Sequence, residues 1–389
     1  MQVRAPADSA GSAPRGRCTA SYGEPMTLYQ RLRQTQQAAR SAGVDALFVT
    51  PGPDLRYLVG YDAVALERLT CLVIPADAEP VLVLPALEVL AARASGLEEQ
   101  GVSLLPWQET EDPWALVAGL VAGAACVAVD DRMWAVQALR ARRALPAAEQ
   151  VAAGTILHDL RMVKDPGEVA ALTAAGSAID WVHAQVPDLL RPGRTEREVG
   201  ADIAELILEA GHSQVDFVIV ASGPNGASPH HAVSDRILQL HDAVVVDIGG
   251  TMPSGYCSDC TRTYALGDPD SEFRDHYAAL QQAQSRAVDA VLPGRTCASI
   301  DAVARDYLTQ AGLGESFIHR TGHGIGLETH EDPYIVAGND RALQPGMAFS
   351  VEPGFYFADR FGARIEDIVV CTADGVEVLN QRPRDLLCV

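Results

Sequence analysis

The sequence predicts a mixed α and β protein in two parts, an N-terminal α/β domain followed by an α+β domain assembled from two related halves. Three observations predict it. The chain has 389 residues, more than one ordinary domain holds and enough for two cores. Short strand-like runs alternate with helix-like ones over residues 26–158. Over residues 159–389 the order helix, histidine, acid, acid occurs twice.

Residues 1–25 are rich in Ala, Ser, Gly and Pro and lack the apolar run of a signal peptide, so they read as a disordered leader with Met26 as an alternative start. In residues 26–158, "VDALFVT", "TCLVIP" and "PVLVLP" are strands by composition and "ALEVLAARA" is a helix. Groups with catalytic potential are sparse there, which suits a domain for shape, substrate restriction or dimer contacts. The second domain announces itself in "KDPGEVAAL", where Asp165 and Glu168 stand as N-cap and N3 around Pro166 at N1.

Composition excludes several classes. A formal net charge of −21 argues against a nucleic-acid partner, which needs a basic footprint. No run approaches the length of apolar residues that spans a membrane, and a soluble cytoplasmic protein is expected. The eight cysteines are irregularly spaced and make no disulfide framework, and "CSDC" (Cys257 to Cys260) has no second pair at zinc-finger spacing. Lys164 is the sole lysine, read as a bias toward arginine.

The two halves are matched in detail. "PGRTEREVGADIAELILEAG" from Pro192 and "PGRTCASIDAVARDYLTQAG" from Pro293 share an opening and an Ala-Gly close. Histidines follow each helix, His230 and His231 in "SPHHAV", then His323 and His330 in "GHGIGLETH". Next come apolar strands with an acid, "VVVDIGG" with Asp247 and "FSVEPGF" with Glu352. A second acid lies twelve residues on at Asp259 and fourteen on at Glu366. Folding one half against its copy brings four carboxylates into one cleft.

Asp247 closes a run of valines whose natural fate is burial, and a lone buried carboxylate is costly without a cation. Strand alternation puts Asp259, Thr261 and Thr263 on one face with Arg262 opposite, and Arg364, Glu366 and Ile368 together with Asp367 opposite. Four converging acids repel, and a divalent metal pair removes the conflict. A histidine ligand, His323, points away from magnesium or calcium and toward Mn, Co, Fe or Zn.

These residues resemble the pita-bread metallopeptidase family of methionine aminopeptidase, aminopeptidase P, prolidase and creatinase. "DIGG", "SDCTRT", "GHGIGLE", "EPG" and "RIED" match its motifs, and the upstream domain resembles the one that prolidase, aminopeptidase P and creatinase carry. The resemblance implies a pita-bread catalytic domain behind a creatinase-like N-terminal domain, and two metal ions, Mn, Co or Zn. It assigns Asp247 to the first metal, His323 and Glu352 to the second, and Asp259 and Glu366 to both. It implies catalytic roles for His230, His330 and Glu352, and substrate contacts for His230, His330, Arg364 and Tyr334. For Arg364 the alternative is a salt bridge that orients the ligand carboxylates. Where some prolidases carry an arginine, this chain has Tyr334 in "HEDPYIV", and the step from Asp247 to Asp259 is one residue longer than in the family, with Pro253 in the turn.

A methionine aminopeptidase lacks the N-terminal domain, and creatinase lacks the metal ligands. The expected activity is therefore hydrolysis of Xaa-Pro bonds in small peptides with proline second, as an Xaa-Pro dipeptidase first and an Xaa-Pro aminopeptidase second, in a homodimer. The contrasting class is a binding protein of this fold without turnover.

Overall fold

A computed structural model describes residues 24–389, so the predicted leader, apart from Glu24 and Pro25, lies outside the described residues. The N-terminal part forms a six-stranded mixed sheet. Its strands lie in the order Ser103–Trp107, Val81–Pro85, Cys71–Pro75, Ala46–Val49, Cys126–Val129 and Glu149–Ala152. The four inner strands are apolar because both faces are covered, whereas the edge strands Ser103–Trp107 and Glu149–Ala152 carry polar and exposed residues. Leu47, Val49, Leu72 and Ile74 enter one core, and Phe48, Cys71 and Val73 enter the core on the other face. The predicted helix over "ALEVLAARA" is a 3-10 turn, Ala86–Glu88, running into a short helix, Val89–Ala94.

The predicted boundary between residues 158 and 159 falls inside a continuous helix, Gly154–Met162. That helix belongs to both parts: Ile156 and Leu157 pack in the N-terminal core, while Met162 packs in the core of the catalytic part. The capping box is as the sequence predicts. Asp165 accepts from the Glu168 N–H, Glu168 accepts from the Asp165 N–H, and Pro166 opens the helix Pro166–Leu189.

The duplication is visible in the backbone. Thr195 and Thr296 cap the helices Glu196–Glu209 and Cys297–Gln310. Just before each cap the chain pairs with a segment downstream in the same way: Gly193 N–H donates to Leu238 O at 3.0 Å, and Gly294 N–H to Leu343 O at 2.8 Å. The first half contributes the strands Gln214–Ser222, Ala243–Thr251 and Cys257–Ala265, and the second contributes Glu331–Ile335, Gly322–Gly324, Ala348–Val351, Asp367–Cys371 and Val376–Val378. The two sheets are joined where the Glu366 N–H donates to Thr261 O at 3.1 Å and the Thr263 hydroxyl donates to Arg364 O at 2.9 Å.

Among the described residues no helix is long and apolar enough to cross a membrane. Cys257 and Cys260 are free thiols on opposite faces of one strand and so cannot share a metal.

One buried imidazole gives the fold a pH dependence. His183, on the helix Pro166–Leu189, is fully buried between the Tyr264 hydroxyl and the Cys260 carbonyl, each 3.0 Å away. Burial first, then the Arg262 charge, push its pKa down to about 3. The unfolded chain therefore takes up this proton first, and the neutral ring's stabilisation is lost as pH falls below about 6.5. The slope is about 1.4 kcal/mol per pH unit until the folded pKa is reached. His183→Gln is expected to flatten that slope in urea unfolding compared near pH 7.5 and pH 5.5; an unchanged slope would exclude His183 as its source.

Candidate metal centre and active site

Asp247 lies mid-strand in Ala243–Thr251, paired in register with Thr261, while Asp259 pairs with Gly249 on the neighbouring strand Cys257–Ala265. The strands of the two acids are joined by the turn 252–256, where Met252 N–H donates to Tyr256 O, and both acids sit in an unbroken register. His323 enters on the strand Gly322–Gly324, Glu352 directly follows the strand Ala348–Val351, and Glu366 sits in the break between Phe361–Arg364 and Asp367–Cys371. The sequence placed Glu366 within a strand. The break leaves its alternation intact, since Glu366 accepts from the Thr261 hydroxyl at 2.9 Å while Asp367 turns away to Arg262 at 2.6 Å.

These side chains converge. One ligand atom each from Asp259, His323 and Glu366 lies within 4.8 Å of the others. The His323 Nδ1–H donates to the Gly324 carbonyl at 3.0 Å, which leaves Nε2 facing Glu352 at 3.2 Å and Asp259 at 3.7 Å. Asp247 is held from outside the cluster by Arg364 at 2.5 Å.

The charge balance is unfavourable without a cation. Like carboxylates at such separations repel by roughly 3–4 kcal/mol per pair at an effective dielectric near 20. Burial, then Glu366, Asp247 and Glu352, raise the Asp259 carboxyl well above its ordinary range; burial, then Glu352 and Asp247, do the same to Glu366. Glu352 goes the other way. Burial would raise it, but His323, His319 and Arg364 hold it at about 2. Two buried oxygens aimed into the cluster, Asp247 Oδ1 and Glu366 Oε1, have no hydrogen-bond partner. Four carboxylates, one open imidazole nitrogen and two unpartnered oxygens fit a divalent metal site.

The model of the "Metallopeptidase family M24" matches residues 170–373, and that of the "Creatinase/Prolidase N-terminal domain" matches residues 31–163. The chain belongs to metallopeptidase family M24. It is a peptidase whose family chemistry uses divalent metal ions. It is 53% identical to a protein of Mycobacterium tuberculosis named probable dipeptidase PepE, over 92% of this chain and 96% of that one. It is 37% identical to an Xaa-Pro dipeptidase of Lactobacillus delbrueckii, over 91% of this chain and 98% of that one. A prolidase structure from Thermococcus sibiricus superposes with a TM-score of 0.86 at 34% identity, covering 94% of this chain and all of that one.

Around the acids, this M24 chain forms a cavity of about 1220 Å³. His230, His231 and His330 all line it, with Arg320 among them. His330 stacks obliquely on His323 with ring centroids 4.0 Å apart. Burial, then the His323 and Arg320 charges, push the His330 imidazole down to about 4. His231, which the sequence left without a role, ties the loop carrying His230 to the buried Glu196 at 2.8 Å.

Arg364 was expected either to meet substrate or to orient ligands, and its contacts are those of the second role. Its guanidinium is 3% exposed and donates to Asp247, Thr261, Tyr356 and the Pro229 carbonyl. Tyr334 lines a smaller adjoining cavity rather than the large one, under the Arg320 guanidinium 4.4 Å from its ring.

Sequence reasoning missed His319, Tyr356 and Arg320. His319 Nε2 is hydrogen-bonded at 2.9 Å to the Tyr356 hydroxyl, which accepts from Arg364 at 2.7 Å, a relay reaching Asp247. The available signal was the spacing of His319, four residues before His323. A Cβ on Gly324 would sit 2.1 Å from the Asp332 carbonyl, so the close approach of the neighbouring strand requires glycine there.

Proposed function

We propose that this metallopeptidase is an Xaa-Pro dipeptidase whose two metal ions, Mn, Co or Zn, are held by Asp247, Asp259, His323, Glu352 and Glu366. The observation that carries the reading is the convergence of these five side chains at one cavity whose walls present His230 and His330. When bound, the metals supply Lewis acidity and lower the pKa of water. The remaining steps belong to side chains. Glu352, kept ionised beside His323, is placed to take a proton from water and return it to the proline nitrogen. His330 is neutral at physiological pH, so its N–H donates to the scissile carbonyl oxygen as negative charge develops, with His230 lining the same cavity. Arg364, through Asp247 and Thr261, fixes where the acids stand.

The dipeptide preference is supported by relatives named dipeptidase and by Arg320. Among the described residues no carboxylate is within ion-pair reach of Arg320, so its charge is available to an anionic group of a short peptide, its terminal carboxylate or an acidic first side chain. A second reading, an Xaa-Pro aminopeptidase, is favoured by the cavity volume, which exceeds what a dipeptide needs. A cytoplasmic homodimer belongs to the same proposal, and the exposed Val64, Leu87 and Leu90 of the N-terminal domain are apolar groups that a second copy would cover.

Hydrolysis of Leu-Pro against Leu-Pro-Pro-Gly, after loading with Mn or Zn, tests both readings. The expected result is preference for Leu-Pro; preference for the longer peptide would replace the dipeptidase with the aminopeptidase. In the same assay Arg320→Ala is expected to raise KM about tenfold or more. A loss on Leu-Pro assigns the terminal carboxylate, and a loss confined to Asp-Pro assigns the first side chain.

A further inference from the structure

The chain's one lysine lies outside the proposed reaction, yet it is buried beside it. Lys164 is 1% exposed at its side chain, donates to the Arg161 carbonyl at 2.7 Å and forms an ion pair with Glu331. Arg161, 5% exposed at its side chain, grips the other oxygen of Glu331 and also pairs with Asp54 at 2.8 Å and Glu328 at 2.7 Å. Glu331 is the residue after His330.

The neighbours repeat the arrangement. Glu328 also pairs with Arg132, and Asp332 pairs with His158 at 3.2 Å. The acids two before, one after and two after His330 are thus each held by a basic side chain drawn from residues 132–164. The chain folds closely around the central carboxylate: a Cβ on Gly326 would sit 2.4 Å from Glu331 Oε1. His330 itself is exposed to the cavity, and a second cavity of about 210 Å³, lined by His330, Tyr334, Arg132, His158, Arg161 and Glu331, lies behind it. Away from its contact with the His323 ring, the imidazole faces open space.

We propose that Arg161 and Lys164, gripping Glu331, are positioning residues for His330, and that through them the helix Gly154–Met162 and the N-terminal domain act on catalysis. The proposal rests on the catalytic reading of His330. Glu331 is bound by two cations at once, so its carboxylate is located in two directions, and the peptide unit next to it carries that location to His330. A lysine ammonium is a compact point charge at the end of four methylenes; burying it commits the protein to keeping that charge paired.

The test uses the full-length, metal-loaded enzyme. Lys164→Met is expected to lower kcat on Leu-Pro about a hundredfold, the scale of a misplacement near 1 Å, with KM and bound metal unchanged, and Lys164→Arg to restore most of it. Hydrogen exchange is expected to rise at residues 328–335 and to stay at the wild-type level at residues 243–265. Should Lys164→Met not fold, K164M/E331Q removes both charges together and is expected to show the same kcat loss. In a His330→Ala background, Lys164→Met is expected to lower kcat no further. An equal factor in both backgrounds, or wild-type kcat in Lys164→Met, overturns the clamp while leaving the catalytic role of His330 standing. Wild-type kcat in His330→Ala alone overturns that role, and the clamp with it.

Discussion

Asp259→Asn is expected to abolish metal binding and hydrolysis together, with kcat on Leu-Pro falling by at least about 10³-fold. Asp259 is 4% exposed and lies among Asp247, Glu352, Glu366 and His323, so the substitution keeps its shape and removes one charge. Because that charge is repelled by the other acids, the metal-free variant should be at least as stable as metal-free wild type. The two effects separate cleanly. Calorimetric metal titration should lose heat at one or both sites, and the rise in Tm on adding Mn or Zn should shrink or vanish while the metal-free Tm holds or rises. Wild-type turnover in Asp259→Asn would refute the ligand assignment, and a large fall in the metal-free Tm would make Asp259 a structural acid instead.

His330→Ala is expected to lower kcat by about 10²–10³-fold with little change in KM, because an N–H that strengthens its hydrogen bond as the oxyanion forms stabilises the transition state more than the substrate. Metal content should match wild type, since Nε2 of His323 and the four carboxylates are untouched. A variant that instead loses metal would place His330 among the ligands, which its 4.0 Å ring contact with His323 makes a meaningful alternative outcome.

Much of this site was legible in the chain because it is written in local pattern. Alternation along "CSDCTRTY" and "ARIEDIVV" predicted which side chains share a face, and Thr261 duly contacts Glu366 and Arg364 while Arg262 meets Asp367 on the far side. The repeated "PGRT" predicted two equivalent helix starts, and both threonines cap them. The boundary drawn between residues 158 and 159 falls within a helix that serves two cores, and such a helix carries no composition signal at the point where its packing changes sides.

The order of acids and histidines, their faces and the caps are set by residues a few positions apart and by strand or helix period, and so could be read from the chain directly. Tertiary structure alone decided which charges answer each other. Arg364 is committed to Asp247, 117 positions away, and Lys164 to Glu331, 167 positions away, while Arg320 lies over the Tyr334 ring with no carboxylate partner among the described residues. Such pairings follow from which buried groups the packed sheets bring within a few ångströms, where desolvation makes an unpaired charge untenable. No local pattern encodes that partner, and so a lone lysine that looked like compositional accident acquired its place only in the fold.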